Sequence, residues 1–189
     1  MKTLVADIGG TNSRLAVAIT SKKDREIILK NIQKFKNSDF NNFEEVIEKY
    51  LSSSNDNLIN RMCIAAAGII SEDTVEMSNL DWKITVPSVQ KTSNIKSVLI
   101  INDLQAQGYA LDFIKPKDLE KLIEGNYSAA KIDTKLVRGM GTGFNVAIAY
   151  QTAFGTFVPA SEYGHARTTT ANEKQKLIVK QLELSLIHI

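Results

Sequence analysis

The sequence predicts an α/β fold with two lobes, the first of which is built on a mixed β-sheet of five strands. Short apolar runs alternate with a helical pattern through the first part of the chain, as strands and crossover helices do. The first runs are joined by a short glycine-containing turn and so form an antiparallel hairpin, whereas runs separated by a helix lie parallel. A strand, a glycine-rich turn and a strand occur again from Leu136 onwards, which indicates the opening part of a second, similar lobe.

The first lobe is predicted to contain a helix among its strands. The strands are expected at Thr3 to Ala6, Arg14 to Thr20, Ile27 to Phe35, Met62 to Ala67 and Ser97 to Ile101. Between the third and the fourth, Asn42 to Leu51 is expected to be an amphipathic helix, because Phe43 and Ile47 share one face with other apolar residues. Ser38 or Asp39 is the expected N-cap of this helix.

The pattern changes near Leu111, and we place the lobe boundary after residue 112. A helix is expected over Lys117 to Glu124, after Pro116, followed by a polar loop. The remaining predicted elements are strands at Leu136 to Gly139, Asn145 to Gln151 and Phe154 to Pro159, and a helix over Ala171 to Glu183. The first lobe thus spans residues 1–112, and residues 113–183 form the first part of the second lobe.

The last residues, Leu184 to Ile189 (LSLIHI), have a different expected origin. They match the translation of a transposon end sequence that serves as a sequencing-library adapter. We therefore expect residues 184–189 to be foreign to the protein, and His188 to carry no function.

The composition is that of an ordinary globular protein. Of the 189 residues 43% are hydrophobic and 23% are charged, which is far from disordered or fibrous compositions. The net charge of +2 comes from interspersed residues, so we expect neither a nucleic-acid-binding nor a membrane-binding patch. The cluster of Lys22, Lys23 and Arg25 is expected to be a solvated turn.

Cysteine usage and the N-terminal segment indicate the compartment. Cys63 is the single cysteine and lies in an apolar run, as expected of a buried thiol in a reducing compartment. The N-terminus lacks a signal-peptide core, and no apolar run is long enough to span a membrane. We therefore expect a cytoplasmic protein.

The segment Asp7 to Asn12 (DIGGTN) is the strongest candidate for a ligand site. It follows an apolar strand, and Gly9 and Gly10 allow positive φ angles and a close approach of backbone N–H groups to an anion. Asp7, at the strand end, can orient a hydrated metal ion beside that anion. An ordinary hairpin turn explains the glycines equally well when the segment is taken alone.

A second glycine cluster, Gly139 to Gly143 (GMGTG), offers another backbone nest with the hydroxyl of Thr142 at its tip. Nests on both lobes can hold a polyphosphate from opposite sides. Between the clusters an apolar strand ends in Asn102 and Asp103 and runs into a helical pattern. Ligands of open α/β sheets bind outside the carboxyl ends of strands, where Asp103 can accept a proton from a substrate hydroxyl. A helix N-cap is the alternative role for Asp103.

Further polar groups in loops are candidates for binding a polyol. Glu162 and His165 lie three positions apart after a strand, with a loop ion pair as the alternative. Asn79 and Asp81 lie beside Trp82 in the segment SNLDW, where a capped turn over the core is the alternative. No His or Cys partner occurs at metal-ligand spacing, which excludes a zinc site.

These segments, in their order along the chain, resemble motifs of the bacterial glucokinase family. The matching segments are DIGGTN (Asp7 to Asn12), SNLDW (Ser78 to Trp82), IINDLQA (Ile100 to Ala106), GMGTGFN (Gly139 to Asn145) and SEYGH (Ser161 to His165). The resemblance covers Lys2 to Glu183. It implies the two-lobed ribonuclease-H-like ATPase fold that hexokinases and actin share.

The resemblance also implies a role for each matching position. The first phosphate loop contains Asp7, Ile8, Gly9, Gly10, Thr11 and Asn12, and the second contains Gly141, Thr142 and Gly143. Asp103 matches the catalytic base that takes the proton of the sugar 6-hydroxyl as this attacks the γ-phosphoryl group of ATP. The positions that match sugar-hydroxyl ligands are Asn79, Asn102, Glu162 and His165. The implied cofactors are ATP and Mg²⁺, with Asp7 acting on the metal through water, and the implied substrate is glucose or a related hexose.

The sequence departs from the family pattern at a few positions. Tyr163 stands where the family usually has glycine, and Ile69 follows Gly68 where relatives usually have proline. A kinase for another hexose or an N-acetylhexosamine therefore stays open, as does a non-catalytic sugar-binding regulator. Such regulators usually add a helix-turn-helix, and the position of Met1 directly before the first strand argues against one. Family members are longer than this chain, so we expect the chain to be an incomplete and inactive part of a glucokinase. A homodimer is left open for the full-length protein.

Overall fold

The computed structural model describes residues 1–21, 27–54, 59–123, 134–140, 144–161 and 170–186. Its strands are β1 (Lys2–Ile8), β2 (Asn12–Thr20), β3 (Ile27–Lys36), β4 (Arg61–Ala66), β5 (Gly68–Ser71), β6 (Thr74–Met77), β7 (Lys83–Thr85), β8 (Ser97–Asn102), β9 (Thr134–Met140), β10 (Phe144–Thr152) and β11 (Gly155–Phe157). Its α-helices are α1 (Phe43–Ser53), α2 (Val86–Ser93), α3 (Asp103–Ala110) and α4 (Glu173–Leu186), with short 3₁₀ turns at Asn37–Asp39, Leu111–Phe113 and Pro116–Asp118.

The first lobe contains the predicted mixed sheet of five strands, in the order β3-β2-β1-β4-β8. β1 pairs antiparallel with β2, and β2 with β3, because only a few residues separate the successive strands. β4 lies parallel to both β1 and β8, because longer connections containing helices return the chain to the same end of the sheet. The carboxyl ends of β1, β4 and β8 therefore lie at one edge.

Helix α1 packs on this sheet through its predicted apolar face. Phe43, Val46, Ile47 and Tyr50 are fully buried in the core of the lobe. Burying an apolar side chain of this size contributes about 1.5–3 kcal/mol. The Tyr50 hydroxyl donates a hydrogen bond to the carbonyl oxygen of Asn31 (3.0 Å), which satisfies the polar end of an otherwise buried ring.

The N-cap of α1 is Asn42, so the predicted caps Ser38 and Asp39 are wrong. The Asn42 side chain accepts a hydrogen bond from the Glu45 N–H (3.0 Å), and the Glu45 carboxylate accepts one from the Asn41 N–H (2.9 Å). The bond to Asn42 satisfies an amide group that the first helical turn leaves unpaired, and the bond from Asn41 holds the residue before the cap. Ser38 and Asp39 instead lie in the preceding 3₁₀ turn.

A small antiparallel sheet and helix α2, both between β4 and β8, are not among the predicted elements. The sheet has the order β5-β6-β7, and its strands are too short for a clear alternation in sequence. Helix α2 has a stronger local signal, since Thr85 is its N-cap and Pro87 lies in its first turn. The Thr85 hydroxyl accepts a hydrogen bond from the Ser88 N–H (3.2 Å). A capping residue followed by proline is the feature that predicts such a helix start.

The described part of the second lobe is an antiparallel sheet in the order β11-β10-β9, which confirms the predicted strands. Its buried residues Ala147, Ala149 and Val158 form a separate apolar cluster together with Leu104 of α3. Helix α3 therefore packs on the second sheet, although it precedes the predicted lobe boundary after residue 112. That boundary stays a prediction.

The predicted helix over Lys117 to Glu124 is wrong for its described residues, 117–123. Pro116–Asp118 is a single 3₁₀ turn, and residues 119–123 have no helical structure. Leu122 and Ile123 are 84% and 85% exposed, so no described element covers their apolar side chains. A helix of two turns without such a partner is not stable in water.

Helix α4 confirms the predicted C-terminal helix and continues to Leu186, inside the segment expected to be foreign. The origin of that segment stays a prediction. Within the described residues, the helices are all too short or too polar to cross a membrane.

Candidate functional site

The carboxyl ends of the parallel strands β1, β4 and β8 bring the main candidate residues to one edge of the first sheet. In the strand register Ile8 lies beside Ala66, and Ala66 lies beside Asn102. The DIGGTN loop after β1 and the start of α3 after β8 therefore emerge at the same edge. This is where open α/β sheets bind their ligands.

The loop from Gly9 to Asn12 joins β1 to β2 in a hairpin, as predicted. It is closed by a hydrogen bond from the Gly9 N–H to the Asn12 carbonyl oxygen (3.0 Å). Thr11 is exposed at the tip, whereas the Ile8 side chain is fully buried, so Ile8 can reach a ligand only through its backbone.

Glycine allows a positive φ angle, but neither Gly9 nor Gly10 adopts one. Among the described glycines only Gly155 has a positive φ angle. Glycine is instead required at position 10 because a neighbouring side chain occupies the space of a Cβ atom. A Cβ atom at Gly10 would lie 3.0 Å from the Cβ atom of Asn79, which is a very tight contact. At Gly9 the nearest atom to such a Cβ is the Asn12 carbonyl oxygen, 3.6 Å away. The glycines thus keep the surface of the loop open and let Asn79 approach it.

The same contact places Asn79 beside the loop from Gly9 to Asn12. Asn79 is exposed in the turn between β6 and β7, and this turn is fixed by a hydrogen bond from the Met77 N–H to the Trp82 carbonyl oxygen (3.1 Å). Trp82 is buried in the core, whereas Asp81 is exposed. The predicted turn over the core is therefore present, and it also presents Asn79 to the site.

Asn102, and not Asp103, is the N-cap of α3. The Asn102 Oδ1 atom accepts hydrogen bonds from the N–H groups of Leu104 (2.9 Å) and Gln105 (3.4 Å). Its Nδ2 atom donates to the Gly68 carbonyl oxygen (3.4 Å), and the residue is 7% exposed. Through these contacts Asn102 connects the end of β8 to the segment after β4 and to the start of α3.

Asp103 is the first residue of α3 and is only partly buried. Its Oδ1 atom accepts a hydrogen bond from the Leu104 N–H (2.8 Å). Burial raises the pKa of the Asp103 carboxyl above its ordinary value, that hydrogen bond opposes the rise, and repulsion by the nearby Asp7 carboxylate adds to it. A carboxylate whose pKa is raised in this way is a better proton acceptor.

The second sheet meets the first lobe at the start of α3. A Cβ atom at Gly139, near the end of β9, would lie 2.8 Å from the Leu104 side chain. The described end of β9 thus abuts the residue next to Asp103. The predicted second phosphate loop, Gly141, Thr142 and Gly143, lies outside the described residues.

The segment that leads to the other predicted sugar ligands is held against β10. Ser161 Oγ donates to the Val146 carbonyl oxygen (2.5 Å), and Asn145 Nδ2 donates to the Ser161 carbonyl oxygen (3.2 Å). Ser161 is the last residue before Glu162, but Glu162 and His165 themselves lie outside the described residues.

Helix α3 is attached to the second sheet along its length. Gln105 Nε2 donates to the Val158 carbonyl oxygen (2.6 Å), and the backbone of Gly108 lies close against Val158, since a Cβ atom there would be 2.8 Å from a Val158 methyl group. Beyond the helix, Asp112 accepts hydrogen bonds from Lys135, Thr156 and Gln151 on the sheet, which hold the pKa of its carboxyl below the ordinary range.

Comparison with known proteins identifies the family. The glucokinase family model matches residues 4–189. The chain belongs to the glucokinase family. A glucokinase of Caulobacter vibrioides is 30% identical over 180 residues, which are 95% of this chain and 53% of that protein. The chain spans about half the length of the curated relatives that it matches.

Solved glucokinase structures share the fold. A glucokinase from an Antarctic psychrotroph superposes with a TM-score of 0.79 at 28% identity, over 97% of this chain and 57% of the other. A ROK family glucokinase from Streptomyces griseus, solved in complex with glucose and AMPPNP, gives a TM-score of 0.56 at 21% identity, over 89% and 51%. The ribonuclease-H-like architecture expected from the sequence is confirmed by these neighbours.

In this member of the glucokinase family, Arg14 contacts the candidate residue Asp7, and the sequence prediction does not include Arg14. Arg14 lies directly opposite Asp7 in the β1–β2 register, and its Nη1 atom is 3.0 Å from Asp7 Oδ2. Both side chains are more than half exposed, so the pair adds little to stability and serves mainly to orient the Asp7 carboxylate. Cross-strand pairing across a hairpin of known register is the signal that predicts it.

Proposed function

We propose that the chain is part of an ATP-dependent glucokinase and carries its first phosphate loop and its catalytic base. The observation that carries the proposal is the position of Asp103 at the same sheet edge as the DIGGTN loop, close enough for the Asp7 charge to raise the Asp103 pKa. A base and a phosphate loop must lie side by side if a hydroxyl is to attack a bound phosphoryl group.

In this proposal Asp103 accepts the proton of the sugar 6-hydroxyl while the hydroxyl oxygen attacks the γ-phosphorus of ATP. The new O–P bond forms as the bond from the γ-phosphorus to the bridging oxygen breaks, and ADP leaves with that electron pair. The backbone amides of Gly10 and Thr11, together with Gly141, Thr142 and Gly143, hold the phosphates in place. Asn79, Asn102, Glu162 and His165 are the proposed ligands of the sugar hydroxyls.

The residues present fit Mg²⁺ as the metal that accompanies ATP. Mg²⁺ keeps several waters and takes one or two carboxylates together with phosphate oxygens, rather than a full cage of protein ligands. Within the described residues no cluster of three or more His, Cys, Asp or Glu residues is found, and Asp7 offers a partly exposed carboxylate beside the loop. Asp7 is the proposed residue for orienting a hydrated Mg²⁺, which supplies charge neutralisation to the phosphates.

The proposed ligands are glucose or a related hexose and ATP, and the proposed location is the cytoplasm. Support for both ligands comes from the family and from the relative solved with glucose and AMPPNP. No nucleic acid or membrane is expected as a partner. A homodimer is proposed as an option for the full-length protein, to be decided by its mass in solution.

The test compares the 189-residue chain with the product of the complete gene in which it lies. We expect the complete product to consume ATP in a glucose-dependent manner in a coupled assay, and the 189-residue chain, at about half the length of its relatives, to be inactive. Sequencing beyond the codon for Glu183 decides whether residues 184–189 belong to the gene. A faster rate with mannose or N-acetylmannosamine than with glucose would reassign the sugar.

The role of Asp103 is tested in the complete product. Asp103→Asn should lower kcat by about 10²–10⁴, because the general base is lost, while glucose still binds. Asp118→Asn, at an exposed position in a 3₁₀ turn, is the matched control and should leave kcat unchanged. Retained turnover in Asp103→Asn would show that Asp103 is not the base.

A further inference from the structure

Asn37 is a buried polar residue that the proposed mechanism does not use. It begins the 3₁₀ turn after β3 and is only 2% exposed. Its neighbour Ser13, near the start of β2, is fully buried. Burying such groups is unfavourable unless their hydrogen bonds are satisfied, so the contacts of Asn37 indicate why it is there.

All the side-chain contacts seen for Asn37 go to the phosphate loop or the residue that follows it. Its Nδ2 atom donates to the Gly9 carbonyl oxygen (2.8 Å), and its Oδ1 atom accepts from the Ser13 hydroxyl (2.8 Å). Its backbone N–H donates to the Thr11 carbonyl oxygen (2.9 Å). One residue, far away in sequence, thus holds the loop at three points.

The partners also fix which way the Asn37 amide faces. A flipped side chain would place Oδ1 against the Gly9 carbonyl oxygen, and two acceptors repel each other. The orientation with Nδ2 toward Gly9 is therefore the one that pairs both ends of the amide.

The bond to Gly9 sets the direction of the next amide group. The trans peptide is planar, so its C=O and N–H groups point in opposite directions. When Asn37 draws the Gly9 carbonyl oxygen into the protein, the Gly10 N–H is directed away from it. Within the described residues, no backbone oxygen accepts a hydrogen bond from the Gly10 or Thr11 N–H. Free, fixed N–H groups are what an anion-binding loop requires.

We propose that Asn37 is a positioning residue, which holds the DIGGTN loop in the conformation that binds the phosphates of the nucleotide. Asn37 contacts the loop from its buried side and makes no contact with the ligand. This inference rests on the proposed function for its ligand, but the contacts themselves do not depend on that function.

The kinetic test uses the complete gene product and the variants Asn37→Ala and Asn37→Asp. Both lose the donor to Gly9, and the Asp side chain also places an acceptor against the Gly9 carbonyl oxygen. We expect KM for ATP to rise by about tenfold in both, and KM for glucose to stay within about twofold. Ser13→Ala, which removes only the donor to Asn37, should cause a smaller rise.

Asn42→Ala is the matched control, because it removes a side-chain hydrogen bond from a nearby asparagine that caps α1 and does not touch the loop. It should lower thermal stability to a degree similar to Asn37→Ala and leave KM for ATP unchanged. The proposal is overturned if Asn37→Ala leaves KM for ATP unchanged, or if Asn42→Ala raises it equally.

Amide hydrogen exchange in the 189-residue chain separates failure of this inference from failure of the proposed function. Exchange is expected to become faster in Asn37→Ala than in the unchanged chain or in Asn42→Ala at two hydrogen-bonded amides, that of Gly9, which donates to Asn12, and that of residue 37, which donates to Thr11. If the complete product lacks ATP turnover but this difference is seen, the proposed function fails and Asn37 still positions the loop. If the difference is absent, the inference fails whatever the enzyme does.

Discussion

The Asp103 carboxylate, which is the proposed base, lowers the stability of the fold at neutral pH. Its position at the first turn of α3 is favourable for a negative charge, but burial and the neighbouring Asp7 carboxylate favour the protonated form. Perturbed carboxyl groups of this kind are common at functional sites, which agrees with the proposed role of Asp103. A variant without the charge therefore separates the effect of Asp103 on stability from its proposed role in proton transfer.

Asp103→Asn should make the folded chain more stable at neutral pH. Because the pKa of Asp103 is raised in the folded state, its contribution to stability is present below the unfolded-state pKa and is lost as the pH rises through the folded-state pKa. Asparagine keeps Oδ1 for the Leu104 N–H and has no charge to lose. The free energy of unfolding from urea denaturation at pH 7 is expected to be higher in the variant.

The pH dependence provides the control for that prediction. The difference between Asp103→Asn and the unchanged chain should shrink as the pH falls from the raised folded-state pKa of Asp103 toward the unfolded-state value of about 3.9. Asp118→Asn should show no such difference at any pH. A variant that is less stable than the unchanged chain at pH 7 would contradict the assignment of burial as the dominant influence on the Asp103 pKa.

Helix α3 connects the end of the first sheet, where Asp103 lies, to the second sheet. Asn102 ties its start to the first sheet through Gly68, whereas Leu104, Gln105 and Gly108 contact the second sheet. Asp103 thus lies where the first sheet and the second sheet meet, which is the position that the proposed function requires of it.

Gly108→Ala tests this attachment. The added Cβ atom would lie 2.8 Å from a methyl group of Val158, a stiff and fully buried side chain. Overpacking of this kind costs about 1–3 kcal/mol. This exceeds the gain of about 1 kcal/mol in helix propensity that alanine brings over glycine.

Urea denaturation measures the net effect of Gly108→Ala on stability. Gln107→Ala, on the exposed face of α3, is the control. The midpoint should fall for Gly108→Ala and stay close to that of the unchanged chain for Gln107→Ala. A higher midpoint for Gly108→Ala would mean that Val158 moves freely and that the contact between α3 and the second sheet is loose.

The described chain leaves much apolar surface uncovered, most of it after residue 112. Its largest contributors there are Leu122, Ile123 and Phe154, which are 84%, 85% and 103% exposed. Single exposed apolar residues are normal, but a concentration of them marks a surface that associates with other apolar surface. The longer relatives have additional chain, which the 189-residue chain does not provide.

The 189-residue chain by itself is therefore expected to self-associate as its concentration rises. Light scattering should show a smaller increase in mass for the variant with Leu122→Glu, Ile123→Glu and Phe154→Glu combined. Ile69→Glu, which changes an exposed isoleucine of the first lobe, serves as the control and should leave the association unaltered. A monomeric unchanged chain at all concentrations would contradict the prediction.

Local patterns in the sequence were sufficient for most strands and for the hairpin that holds the loop. Alternating apolar residues in β1 and β2 specify strands, and the glycines between them specify a short turn. The pattern was misleading over Lys117 to Glu124, because helical periodicity there has no surface to pack against. It was also silent on Asn37, whose role depends on contacts across 28 residues of chain.

The sequence by itself determined the family, the mixed sheet and the motifs DIGGTN and IINDLQA, because these depend on residue identity and short-range periodicity. Only the tertiary structure decided that Asn102 caps α3, that Arg14 pairs with Asp7, that Asn79 meets Gly10 and that Asn37 holds the loop. Each of these depends on strand register or on the meeting of segments distant along the chain, and such contacts are set by the packing of the whole molecule.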